Sequence, residues 1–131
     1  KMKNIKLILQ VLFVCLVIIS CTKDKAETEL IGRYKLIEVL ADPGDGSGTF
    51  KSVTSNKIIE FHRDGTVTSN EELCFMSTAS SAPSSGTYSI TNSSIYPSNC
   101  SDYHLTFERN GNKLVINYPC IEPCKVKFIK L

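Results

Sequence analysis

The sequence predicts an all-β fold, an eight-stranded antiparallel up-and-down barrel. Three observations predict it. From Ile31 onward, Gly, Asn, Asp and Ser recur every ten residues or so and separate short runs rich in Ile, Val, Tyr, Phe and Thr, the mark of short antiparallel strands. No segment of that region sustains the 3.6-residue apolar period of a helix. Three hairpins, each placed by its own turn residues, set apolar side chains opposite apolar ones.

The predicted strands cover residues 32–40, 57–62, 66–73, 86–91, 94–96, 103–109, 113–118 and 125–130. Arg63-Asp64-Gly65 suits a three-residue loop with Gly65 at positive φ, which sets Phe61 opposite Val67. Asn110-Gly111 is a strong hairpin dipeptide. Taken as a two-residue turn, it sets Phe107 opposite Leu114, Leu105 opposite Ile116 and Tyr103 opposite Tyr118. Cys120 opposite Cys124 then sets Tyr118 against Val126 and Ile116 against Phe128. Glu108, Lys113, Lys125 and Lys127 fall on the other face, and a one-residue slip would bury them. Alternation is weaker at Glu38, which shares a face with Tyr34 and Leu36, and at Ser69 and Glu71, which share a face with Val67. A bulge or a wet rim is the simpler reading of these, and a polar part of a cavity the other.

Arranged as a meander, the strands put the long connections 41–56, 74–85 and 97–102 at one rim, with the Ile121-Glu122-Pro123 turn. Cys74, Cys100, Cys120 and Cys124 gather at that rim as well, while tight turns close the opposite end. The result is a cup. Its inward set is Tyr34, Leu36, Ile59, Phe61, Val67, Tyr88, Ile90, Tyr103, Leu105, Phe107, Leu114, Ile116, Tyr118, Val126 and Phe128. An eight-stranded barrel is wide enough to be filled by such side chains or to hold one small ligand. Tyr34, Phe61, Tyr88, Tyr103 and Tyr118 are the ligand-cavity candidates, because tyrosine joins an apolar body to a hydroxyl.

The N-terminus follows another plan. Lys1, Lys3 and Lys6 precede an apolar run over residues 7–19 broken only by Gln10, and apolar character stops after Ser20 and Cys21. That is the layout of an export signal. Thirteen helical residues reach about 20 Å, short of the ~30 Å a membrane span needs. Ile18-Ile19-Ser20-Cys21 resembles the lipobox of bacterial lipoproteins, in which the cysteine is lipidated and the signal is cut before it. The resemblance implies a signal peptide over residues 1–20, a lipidated polar tether over 21–29, and the barrel domain over 30–131. It implies attachment to a membrane through lipid on Cys21 and a place in the cell envelope, at the outer membrane.

Of 15 Lys and Arg, the three in the signal leave with it, and the rest nearly balance 13 Asp and Glu. A near-neutral mature chain argues against a nucleic-acid partner, which requires a clustered basic face. Cys74, Cys100, Cys120 and Cys124 are an even number in an exported chain, which favours two disulfides. Three pairings are open: Cys120 with Cys124, or either of these with Cys100 and the other with Cys74. Free thiols are a second reading. Zinc is a third, but no histidine or second cysteine pair follows Cys120 and Cys124 at the usual interval, so no metal is expected.

Ile31-Gly32-Arg33-Tyr34-Lys35-Leu36 resembles the Gly-x-Trp opening of lipocalin-like domains, with Tyr34 in the Trp place. Ile59-Glu60-Phe61-His62-Arg63-Asp64-Gly65-Thr66-Val67 is similar to the second and third strands of such domains in Bacteroidota-type lipoproteins. Gly86-Thr87-Tyr88-Ser89-Ile90 is similar to the fourth, and Asn112-Lys113-Leu114-Val115-Ile116 to a late strand. The resemblance covers most of residues 30–131 and implies an eight-stranded barrel or a close relative.

Catalytic patterns are not evident. His62 and His104 fall on the face opposite the core, without a nucleophile partner. Residues 77–85 are Ser-rich but lack a nucleophile-elbow pattern. No phosphate-cradling glycine loop precedes a helix, and no cofactor is expected. The chain is therefore expected not to be an enzyme. Two function classes remain: an envelope protein holding a small hydrophobic or amphipathic ligand in the cup, or a structural or interaction module using the loop-rich rim.

Overall fold

A computed structural model of the chain describes residues 25–78 and 82–131. The expected signal peptide, the lipidation site Cys21 and the first part of the tether lie outside the described residues. Nine strands follow in order: β1 (Gly32–Ala41), β2 (Lys51–Ser52), β3 (Ile58–Phe61), β4 (Thr66–Ser69), β5 (Ser84–Ser89), β6 (Ser94–Pro97), β7 (Leu105–Asn110), β8 (Lys113–Tyr118) and β9 (Cys124–Lys130). Every pairing is antiparallel, neighbours pair in the order β1-β3-β4-β5-β6-β7-β8-β9, and β9 pairs back with β1. The eight strands thus close into a barrel, and Ile31–Leu131 is one compact unit. Closure leaves no edge strand open along the ring, which removes the usual route to edge-to-edge association.

Two elements depart from the sequence expectation. The two-residue β2 pairs Glu38 with Ser52 and Val39 with Lys51, continuing the edge of β1 that β3 uses lower down. A two-residue ladder is too short to show a period, so no pattern announced it. Residues 25–30, of which 25–29 are expected to be irregular tether, form a short helix. Lys, Ala, Glu and Leu are strong helix formers, although six residues fall well short of the ~12–15 an isolated helix needs.

Strand faces follow the period-2 rule. In β8, Leu114, Ile116 and Tyr118 are buried and alternate with more exposed residues, and in β9 the buried positions are Val126 and Phe128. The Phe61–Val67 pair stands as expected, and Gly65 closes its loop with φ 84°. The next two registers require correction. Phe107 pairs with Ile116 and Arg109 with Leu114, not Phe107 with Leu114. Leu105 and Tyr103 likewise do not oppose Ile116 and Tyr118. Asn110 pairs with Lys113, so the two turn residues are Gly111 and Asn112. Gly111 takes φ 60° at the first central position, the glycine requirement of a type II′ turn instead of the type I′ turn that Asn-Gly suggests. The following hairpin is displaced equally, with Tyr118 opposite Cys124, Ile116 opposite Val126 and Leu114 opposite Phe128. Each displacement moves partners by two residues, and a two-residue change leaves every side chain on its face.

The middle of the barrel is filled. Tyr34, Leu36, Ile59, Phe61, Val67, Ile95, Leu105, Leu114, Ile116 and Phe128 are all at most 1% exposed. Phe61 sits edge-on to Tyr34 at 5.8 Å and to Tyr88 at 5.1 Å, and lies 6.0 Å from Phe107. Edge-to-face rings at such spacing add to the energy of burial. At the tight-turn end, the Tyr88 hydroxyl donates to the His62 carbonyl at 2.7 Å, and the Lys130 ammonium lies 5.6 Å from the centre of the Tyr34 ring.

Outside the wall, the first long connection folds back. The Phe50 ring lies under the Lys127 ammonium at 3.9 Å, and Lys127 also pairs with Glu38. A β-bulge between Leu36 and Glu38 turns Glu38 out to meet it, so the bulge reading of that position is the one the structure gives.

Candidate functional site at the loop-bearing rim

All the long connections emerge at one rim: those joining β1 to β3, β4 to β5, β6 to β7 and β8 to β9. Two disulfides secure it. Cys74 is joined to Cys100, tying the β4–β5 connection to the β6–β7 connection, and Cys120 is joined to Cys124 within the last turn. The first of the three open pairings is the one formed.

Residues 70–78 of the β4–β5 connection fold over the barrel mouth. Sequence pattern extends its strand to Leu73, but the strand ends at Ser69. Leu73 is nonetheless fully buried, while Phe75 two residues on is 66% exposed. The backbone between them is held by side chains. The Leu73 amide donates to Ser84 Oγ, which itself donates to the Glu71 carbonyl, both at 2.8 Å. The Tyr103 hydroxyl donates to the Cys74 carbonyl. Lys57 Nζ donates to the Glu72 carbonyl at 2.5 Å and to the Phe75 carbonyl at 3.3 Å. Ser55 Oγ donates to the Thr78 carbonyl at 2.9 Å.

Lys57 stands out among the described residues, because it is a lysine only 1% exposed. A buried ammonium is costly unless paired and hydrogen-bonded. Burial pulls its pKa down, and the negative charges of Glu71 and Glu72 push it back up. Glu71, Ser69 and Ser84 are buried around the same rim at 8%, 6% and 8% exposure. The wet-rim reading of Ser69 and Glu71 therefore gives way, since both sit inside. Burial raises the Tyr103 and Tyr118 hydroxyl pKa values, with the Glu72 charge adding to each. A lysine ammonium, carboxylates and two tyrosines thus occupy the upper end of an otherwise apolar barrel.

Of the ligand-cavity candidates, Tyr34 and Phe61 lie in the filled middle, Tyr88 lines the tight-turn end and is half-buried, and Tyr103 and Tyr118 belong to the rim cluster. The five therefore do not line one space. Tyr103, expected on a strand, precedes β7, and Ile90, expected inward, lies in the β5–β6 turn. Sequence reasoning missed Lys57. The signal was parity: Lys57 shares its face with Ile59 and Phe61, and a charged residue starting a strand is read by default as solvated. His62 is a partner of Thr68, its Nε2 lying 2.9 Å from Thr68 Oγ1 on the outer wall. Two shallow clefts mark that wall, one lined by Glu108, Lys113, Val115 and Lys127, the other by Arg33, Glu60, Thr68 and Asn70. Among the described residues, no three His, Cys, Asp or Glu side chains gather where they could hold a metal ion.

Comparison with known proteins returns nothing: no family model, no curated protein and no solved structure matches the chain.

Proposed function

We propose that the chain is a lipoprotein of the cell envelope, anchored through Cys21, whose lipocalin-like barrel captures a small amphipathic ligand with an anionic head at the lidded mouth. The observation that carries this reading is that one segment over the mouth, with Leu73 buried in it, is held by the buried Lys57 ammonium at the Glu72 and Phe75 carbonyls and by the Tyr103 hydroxyl at the Cys74 carbonyl. A carboxylate brought to Lys57 and Tyr103 would accept charge-assisted hydrogen bonds, the strong kind. The attached chain would lie where Leu73 lies. Its burial would yield about 25 cal/mol per Å² before the entropic costs of binding. The site is a mouth site, since the middle of the barrel is filled by its own rings.

The test compares a fluorescent long-chain carboxylate with the alcohol of the same chain length, titrated into the folded, lipidated protein. The carboxylate is expected to bind more tightly by about tenfold, the factor for ~1.4 kcal/mol. Lys57→Met is expected to erase that preference whatever it does to affinity. Mass spectrometry of the purified native protein should find retained lipid with an acidic head. A folded protein that retains no lipid and binds neither probe would overturn the reading.

A second reading is supported by Phe75 at 66% and Ile121 at 101% exposure, both presented at the rim beside disulfides. Large apolar side chains so displayed suit contact with another envelope protein. Photo-crosslinkers at these two positions, in cells, would capture such a partner.

A further inference from the structure

We infer that residues 71–78 are a self-inhibitory lid, a built-in competitor for the mouth site, and that the Cys74–Cys100 disulfide holds it shut. The inference rests on the mouth-site reading and adds its regulation. Leu73 supplies the apolar part of a ligand and is fully buried. The carbonyls of Glu72, Phe75 and Cys74 supply the oxygens of a head, on Lys57 Nζ and the Tyr103 hydroxyl. The segment therefore presents the same two chemistries, in the same order, as an amphipath entering head to lysine. It differs from the strands in how it is held. Between Glu71 and Thr78 the contacts on Ser84, Tyr103, Lys57 and Ser55 are individual side-chain bonds that a competing carboxylate and water can replace one by one.

The disulfide decides whether replacement succeeds. Cys74 lies between Leu73 and Phe75, so the Cys74–Cys100 bond tethers the segment at the centre of the groups it latches. A tether of that length keeps the lid's groups at an effective concentration in the millimolar range or above, against which a dilute ligand competes poorly. Cutting it leaves the individual bonds alone. The chemistry is thiol–disulfide exchange with a dithiol reductant. Its thiolate attacks Cys100 Sγ to form a mixed disulfide and release the Cys74 thiolate. Its second thiolate then attacks the mixed disulfide and releases the Cys100 thiolate. Both cysteine thiolates take up protons, two electrons pass to the cystine, and the reductant leaves as its own disulfide.

The experiment measures hydrogen exchange by mass spectrometry on the full chain, with the same carboxylate probe titrated in parallel. The proteins are wild type, Cys74→Ser/Cys100→Ser and, as control, Cys120→Ser/Cys124→Ser. The expected result is a rise of about tenfold or more in exchange over residues 71–78 in the first double variant only. β8 and β9 should remain the slowest-exchanging strands, losing only the protection that the variant's lower global stability takes away, and probe affinity should rise in step. Mild dithiothreitol treatment of the wild type should reproduce this, which keeps the test available if the serine variant does not fold. Unchanged exchange over 71–78 in the reduced or substituted protein, with the barrel still protected, would overturn the lid. Increased exchange with no probe binding by any form would uphold the lid and overturn the mouth-site reading instead.

Discussion

The barrel wall and its loop-bearing rim are built on different principles. In the wall, backbone ladders bond strand to strand and the interior is packed with apolar side chains and rings. At the rim, a segment without ladder partners is held by Ser55, Lys57, Ser84 and Tyr103, by one buried leucine and by a disulfide. Wall contacts are numerous and shared, so the loss of one weakens the whole barrel. The rim contacts on Ser55, Lys57, Ser84 and Tyr103 are individual bonds and separable. A protein that needs a fixed scaffold and one movable part would divide its interactions in this way.

The largest effect is expected where the wall is filled. Phe61→Ala removes a ring that touches Tyr34, Tyr88 and Phe107 and should cost about 3–5 kcal/mol in urea denaturation. A much smaller cost would mean that the interior is not packed as described. The disulfides come next. Removing Cys74–Cys100, with a sequence separation of 26, should cost roughly 3–4 kcal/mol of global stability by loop restriction. Removing Cys120–Cys124, with a separation of 4, should cost about 2 kcal/mol. If the two losses were equal, restriction of the unfolded chain would not be their source.

Lys57→Met should cost less than Phe61→Ala although both residues are buried, about 1–3 kcal/mol, the range for leaving buried acceptors unsatisfied. Its loss should appear mainly in the segment over the mouth. The smallest effect is in alkali. Tyr34, Tyr103 and Tyr118 have hydroxyls raised above their ordinary value of 10.0, chiefly by burial. The folded protein therefore favours their neutral forms. The stability this gives is complete below pH 10 and is lost as pH rises from there through the folded-state values. Tyr118→Phe should flatten the alkaline fall, and ultraviolet titration should show its hydroxyl ionising only with unfolding.

The same division explains what the sequence made legible. A wall reads well because alternation is its own signal: Leu114, Ile116 and Tyr118, then Val126 and Phe128, mark their face whatever their partners are. That is why the interior was identified although the turn at Gly111 is type II′ and both late registers move by two. The rim reads poorly because it imitates other things. Leu73 keeps the apolar face parity of Val67 and makes β4 look longer, and Lys57 looks like a solvated strand end. Ser69 and Glu71 raised the right question, but pattern alone could not say that a lysine and a folded-back loop would exclude water from them. Side-chain-to-backbone bonds such as Tyr103 to the Cys74 carbonyl, 29 residues apart, have no period to detect.

Hydrogen exchange of the unmodified protein, followed residue by residue under native conditions, tests the division between wall and rim most directly. Amides in β3, β4, β8 and β9 are expected to exchange only through global unfolding, while residues 71–78 exchange through a separate local opening of clearly lower free energy. A single opening energy shared by those strands and the segment over the mouth would contradict that division.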